Sequence, residues 1–199
     1  MVLGQQERVE PPMEMLEILR NSPIIAAVKD REGMRKAMAC DSEVFFILFG
    51  TVCNIGDIVR ELKEANKLVF VHIDLIDGLA PKDVAVDFLA ENTKLDGIIS
   101  TKPSLLKHAR SRGLLTVQRF FLLDSIAEAN INRQFLTNKP DMVELLPGLM
   151  TAAIGEIAQQ HPDLPVIAGG LIKTKADVLA ALSAGAAAVS SSNEQVWFM

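Results

Sequence analysis

Short apolar runs alternate along this chain with longer segments whose apolar positions recur every three or four residues. The runs Ile24–Val28, Val44–Phe49, Leu68–Ile73, Gly97–Ser100, Leu114–Gln118, Met142–Leu146, Pro165–Ala168 and Ala187–Ser190 predict eight strands. Val44-Phe45-Phe46-Ile47-Leu48-Phe49 is apolar at every position, the pattern of a strand buried on both faces. The segments between runs read as helices. In Ile55–Asn66, Ile58, Val59 and Leu62 form one stripe while Arg60, Glu61, Lys63 and Glu64 face water. In Thr174–Ala184 the stripe is Val178, Leu179 and Leu182, with Thr174 as the N-cap. Each gap holds one helix and two short loops, the size of a βα unit.

Eight such units in succession predict an α/β fold, a near-minimal (β/α)8 TIM-like barrel in a single domain; a doubly wound open sheet is the alternative. Residues 23–199 would form the barrel. Residues 1–22 would form an N-terminal extension whose short helix, Met13–Arg20, is either a plug for the barrel bottom or a contact in a homo-oligomer. Composition fits one domain with a large core, since 49% of the 199 residues are hydrophobic. A net charge of −5 excludes a strongly basic nucleic-acid binder on total charge and leaves only a local patch open. Cys40 and Cys53 lack metal-ligand spacing, and a reduced, cytoplasmic chain is expected. The segment Met1–Pro12 carries Glu7, Arg8 and Glu10, unlike a secretory apolar region. No apolar run approaches the ~20 residues that span a bilayer, so no membrane partner is expected.

In a barrel, function sits at the carboxyl ends of the strands. If Val71, Ile73 and Leu75 face the helices, His72 and Asp74 point into the barrel mouth, where such a pair can bind a metal, exchange a proton or hydrogen-bond a ligand hydroxyl. Glu144 faces opposite to Val143 and Leu145, and a carboxylate there needs a partner. Lys29, at the edge of the mouth, could pair with Glu144 or Asp74. Thr116 and Gln118 share a face of the fifth strand, and Arg119 follows at its end. Nothing in this set has the spacing of a catalytic triad or a metal cage, so no catalytic or metal residue is assigned. A ring of ion pairs that merely fills the mouth is the structural alternative.

The strongest local pattern is Ala168-Gly169-Gly170 followed about twenty residues later by Ser190-Ser191-Ser192-Asn193. Paired glycines after a buried strand let the backbone approach a ligand, and small polar residues supply hydroxyls and N–H groups. Barrels often hold phosphate with the loops after strands seven and eight and a helix N-terminus. Gly169, Gly170, Ser191, Ser192 and Asn193 are therefore the expected phosphate loops; two ordinary tight turns are the bland alternative. Between Asp96 and Asp124 there is no acidic residue, while Lys107, Arg110 and Arg112 lie on or just after one helix. They form either a patch for a polyanion such as RNA or an ordinary solvated face.

The stretches His72-Ile73-Asp74-Leu75-Ile76-Asp77-Gly78, Gln118-Arg119-Phe120-Phe121-Leu122-Leu123-Asp124-Ser125, Asp141–Gly148 and Ile167-Ala168-Gly169-Gly170-Leu171-Ile172, with Ser191-Ser192-Asn193 and Trp197, resemble the glycerol uptake operon antiterminator regulatory protein family. The resemblance runs from about Pro23 to Trp197. It implies a regulator rather than an enzyme. The effector would be glycerol 3-phosphate or a related small phosphate ester, the partner the leader mRNA of glycerol-utilisation genes, and no cofactor is implied. Gly169, Gly170, Ser191 and Ser192 would hold the phosphate; His72, Asp74, Gln118, Arg119 and Glu144 would read the hydroxyls. Lys29 stands where an arginine is expected, and Asp77 where histidine is frequent. Two other readings share the same mouth. One is an isomerase or aldolase acting on a phosphate ester, with Asp74 or Glu144 as base and Lys29 or Lys102 as electrostatic or Schiff-base partner. The other is a degenerate barrel serving as an assembly partner.

Overall fold

A computed structural model describes residues 13–123, 131, 134 and 139–199. Eight parallel strands close into a barrel in sequence order: β1 (Ile24–Val28), β2 (Val44–Ile47), β3 (Leu68–His72), β4 (Gly97–Ser100), β5 (Leu115–Phe121), β6 (Met142–Leu146), β7 (Val166–Gly169) and β8 (Ala188–Ser191). β8 pairs back onto β1 through Ile25 and Ser190, which excludes the open sheet. Every predicted apolar run is a strand, with ends displaced by up to three residues.

Alternation along the strands sorts side chains into an interior and an outer layer. Ile25, Phe46, Phe70, Ile99, Val117, Met142, Ile167 and Ala188 fill the interior as one apolar cluster. Met15 and Leu19, from the helix Met13–Asn21, belong to the same cluster and are 5% and 0% exposed. The leading helix is thus a plug for the barrel bottom. The opposite strand faces pack against the helices: Ile58, Val59 and Leu62 lie in that outer layer as expected.

Two details differ from the pattern. On the helix Lys175–Ser183, Leu179 is 54% exposed, while Ala181 is buried beside Val178. Ala181 joins Val178 in the outer apolar cluster, while Leu179 points away from that face. Strand β3 ends at His72, and Ile73–Leu75 form a 3-10 turn, which leaves Leu75 exposed rather than facing the helices. Both cysteines are free thiols. No helix among the described residues is long and apolar enough to cross a membrane.

Candidate functional site

Two residues further along β3, β5, β6 and β8, the interior changes character. Phe70 gives way to His72 on β3, Val117 to Arg119 on β5, Met142 to Glu144 on β6, and Ala188 to Ser190 on β8. The apolar barrel is therefore capped by a polar layer at the carboxyl ends of its strands.

Arg119 and Glu144 are direct partners in the β5–β6 register. Arg119 Nε donates to Glu144 Oε2 at 2.5 Å, and the Ser190 hydroxyl donates to Glu144 Oε1. Both carboxylate oxygens are thus occupied, as burial of a charge requires. Gly169 is glycine for this reason: a Cβ there would lie 2.6 Å from Glu144 Oε1 and 2.8 Å from Ser190 Oγ.

A cavity of about 480 Å³ opens above this pair. Its wall brings together Lys29, Arg119 and Glu144 from the expected mouth with Gly170, Ser191, Ser192 and Asn193 from the expected phosphate loops. It adds two polar side chains outside that set, Lys173 and Ser190, among apolar neighbours such as Leu48 and Leu146. Ser190 was legible from its inward parity with Ala188; Lys173 only from following the glycine pair. Lys29 pairs with neither Glu144 nor Asp74, and neither Lys29 nor Lys173 has an ion-pair partner among the described residues.

The two loops are stitched together before any ligand arrives. Ser191 Oγ donates to Ile172 O at 2.9 Å and accepts from Asn193 N at 3.1 Å. Trp197 Nε1 donates to Ser191 O at 2.7 Å, and Asn193 Oδ1 caps the short helix Glu194–Trp197. Ser191 and Asn193 therefore hold the loop, Ser191 through its hydroxyl and Asn193 through Oδ1, which leaves Asn193 Nδ2 on the cavity wall without a partner among the described residues. The helix N-terminus after β7 is also taken: Thr174 caps it as predicted, and Asp177 accepts from the N–H groups of Lys173 and Thr174. Those backbone donors keep Asp177 below the usual carboxylate range. What also remains open is the backbone of the turn itself. The N–H groups of Gly170, Leu171 and Ser192 have no partner among the described residues, nor does the Ser192 hydroxyl. Gly170 and Leu171 both have positive φ, 73° and 61°, in a turn that sets both residues on the cavity wall.

The rest of the expected set is elsewhere. Gln118 lies outside the mouth: inward positions on β5 are Val117 and Arg119, and Gln118 faces the helix layer, where Nε2 donates to Gln134 Oε1 at 2.8 Å. Thr116, on the same face, bonds Asp141. Asp74 is carried over the top of β4, where it accepts from Ser100 Oγ (2.8 Å), Thr101 N (3.0 Å) and Lys102 Nζ (2.9 Å). Despite partial burial, these donors hold Asp74 below its ordinary pKa. His72 Nδ1 lies 3.8 Å from Asp74 Oδ2, without a hydrogen-bond partner. Burial, and the Arg119 charge beside it, push His72 down to about 4, so its imidazole is neutral at neutral pH. The pair thus presents a fixed carboxylate and a neutral ring, suited to holding hydroxyls rather than to exchanging protons. No group of three or more His, Cys, Asp or Glu among the described residues could hold a metal.

The basic patch is neutralised in part. Arg112 pairs with Glu91 at 2.9 Å and Asp87 at 3.3 Å, both on the preceding helix, Asp83–Asn92. Arg110 donates to the carbonyl of Lys139, and only Lys107 of the three stands exposed without a partner among the described residues. A larger cleft, about 820 Å³, lies at the amino ends of the strands beside Met15 and Arg20. Size alone does not favour it, because the unspent donors converge at the other end.

Residues 24–197 match a family described as glycerol-3-phosphate responsive antiterminator. The chain is 40% identical over 185 residues to the uncharacterized protein YgcP of Escherichia coli (strain K12), covering 93% of this chain and 96% of that protein. The crystal structure of a glycerol uptake operon antiterminator regulatory protein from Listeria monocytogenes str. 4b F2365 aligns with a TM-score of 0.85 at 34% identity, covering 89% of this chain and 95% of that one. A glycerol uptake operon antiterminator-related protein from Thermotoga maritima MSB8 aligns with a TM-score of 0.81 at 32% identity, covering 89% and 99%.

Proposed function

The chain belongs to the glycerol-3-phosphate responsive antiterminator family, and from that premise we propose that it is a cytoplasmic sensor which binds glycerol 3-phosphate, or a related small phosphate ester, in the cavity above Arg119 and Glu144. Occupancy of that cavity changes its affinity for the leader mRNA of glycerol-utilisation genes. The observation that carries the reading is the convergence of unspent N–H groups at Gly170, Leu171 and Ser192 with two unpaired lysines, Lys29 and Lys173, around one cavity. Backbone donors and ammonium groups together are the chemistry of a phosphate site. The phosphate sits on the loops after β7 and β8; the polyol extends toward the polar layer beneath.

A sensor must do more than bind. The ligand shifts RNA affinity only as far as it prefers one conformation over another. The test is calorimetric titration of the full chain with glycerol 3-phosphate, followed by leader-RNA binding with and without saturating ligand. Saturable binding and a change in RNA affinity of tenfold or more are expected. Equal RNA affinity in the two states overturns the switch, and absence of glycerol 3-phosphate binding overturns the site.

A further inference from the structure

The Arg119–Glu144 pair is complete on one side only. A guanidinium carries five N–H groups, and the contact with Glu144 uses the one on Nε. Neither Nη1 nor Nη2 has a partner among the described residues, and neither is sealed from solvent, although the side chain is only 9% exposed. Arg119 lines the cavity, so these nitrogens are donors presented to whatever fills it. Each Glu144 oxygen already accepts one hydrogen bond, from Arg119 on one side and Ser190 on the other.

The two ends of the cavity therefore differ in charge. At the loop end, neither Lys29 nor Lys173 is in ion-pair contact with a carboxylate among the described residues, although Asp177 acts on Lys173 beyond contact distance. At the barrel end, the positive charge of Arg119 is cancelled by a carboxylate in direct contact. Donors on a cancelled pair bond a neutral oxygen well. A second anion placed there would gain less from Arg119 than from an unpaired cation, because Glu144 offsets its charge, and that weakened attraction must still cover the cost of burying a charge.

We infer that this cavity selects a phosphate ester whose far end is neutral, a hydroxyl or carbonyl, and that Arg119 with Glu144 is the device that excludes a carboxylate there. The inference rests on the reading that the loops after β7 and β8 take a phosphate. It explains why a cationic side chain is placed beneath a phosphate site without becoming part of it.

The test compares three probes on the full chain by calorimetry: glycerol 3-phosphate, 3-phosphoglycerate (the same skeleton with a carboxylate at the far carbon) and inorganic phosphate. Glycerol 3-phosphate is expected to bind at least tenfold more tightly than 3-phosphoglycerate. Glu144→Gln removes the cancelling charge while keeping an acceptor for Nε, and should narrow that gap at least tenfold. Arg119→Gln should weaken glycerol 3-phosphate by a larger factor than inorganic phosphate. Equal or tighter binding of 3-phosphoglycerate by the unaltered protein overturns the inference alone, and needs no variant to fold. An Arg119→Gln variant that keeps a cooperative unfolding transition yet loses both probes equally also overturns it, by placing Arg119 in the phosphate subsite. Failure of all three probes to bind overturns it together with the reading it rests on.

Discussion

Glu144 Oε1 occupies the space that a side chain at Gly169 would need, 2.6 Å from the position of its Cβ. The carboxylate cannot retreat cheaply, because Arg119 holds its other oxygen and Ser190 donates to the one in question. Gly169→Ala should therefore destabilise by about 1–3 kcal/mol, the range for overpacking a filled site. Gly33→Ala is the control: its Cβ would meet only Asp30 Oδ1 at 3.4 Å and Trp197 at 3.7 Å, inside the helix Arg31–Ala37. That substitution should gain up to ~1 kcal/mol from helix propensity. Urea denaturation of both variants reads opposite signs.

Removing one partner of the buried pair should cost more than removing both. Arg119→Met leaves Glu144, 2% exposed, with a neighbouring hydroxyl but no opposite charge. Losses of about 3–5 kcal/mol follow when a buried pair is broken in this way. The double variant Arg119→Met/Glu144→Met should recover most of that loss, because neither charge is then stranded. Denaturant midpoints of the two single variants and the double form a cycle that checks it.

How far the sequence could be read depended on whether the relevant partner lay nearby in the chain. The strands were legible because a strand buried on both faces is an apolar run wherever it occurs, as Val44–Phe49 is. The glycine pair was legible because its need is local backbone approach. The facing of β5 was not. With Val117 and Phe120 apolar on opposite faces, the polarity of Gln118 pointed no more inward than outward. Its partner, Gln134, lies sixteen residues on. The charge of the basic patch was not legible for the same reason: the acids that pair with Arg112, at Asp87 and Glu91, belong to the previous helix. For Ser191, expected among the phosphate residues, the run of serines did not show that its hydroxyl donates to Ile172 O, nor that inward-facing Ser190 meets Glu144.

Acid should weaken the fold in a window set by His72. Burial first, and the Arg119 charge second, lower it to about 4 from an ordinary 6.5. Between those values the unfolded chain binds a proton that the folded chain refuses, so stability rises with pH. The contribution is fully present above about pH 6.5 and falls by roughly 3 kcal/mol as pH drops to about 4. Asp74 does not share this window, because its pKa is lowered from 3.8 and its contribution is lost only at more acid pH. His72→Gln should flatten the slope of urea midpoint against pH between 6.5 and 4.

Lys29 and Lys173 flank the cavity without ion-pair partners among the described residues, so truncating either removes charge from the loop end and breaks no observed salt bridge. A hydrogen bond to a charged group contributes about 1.5–3 kcal/mol. Lys29→Ala and Lys173→Ala should each weaken glycerol 3-phosphate binding by roughly tenfold to a hundredfold. Unfolding midpoints without ligand should move by less than ~0.5 kcal/mol. Lys29→Arg should restore much of the affinity, since charge is kept whichever cation grips the anion. Calorimetry on the three variants separates charge from packing.

The three basic residues after β4 should differ in what they contribute to RNA binding. Lys107 is exposed and unpaired among the described residues, so a phosphate can displace its counterions directly. Arg112 must first give up Glu91 and Asp87, and Arg110 must leave the Lys139 carbonyl. A phosphate contact at either arginine gains less than its charge implies, because an existing partner is lost. If this face meets leader RNA, Lys107→Ala should lower the slope of log K against log salt by about one. Arg112→Ala should change it by less, while Asp87→Asn, which frees part of the arginine charge, should strengthen binding. Identical salt dependence in all three variants and the unaltered chain would move RNA recognition to another surface of the barrel. Filter-binding or fluorescence titration across about 50–200 mM salt distinguishes the outcomes.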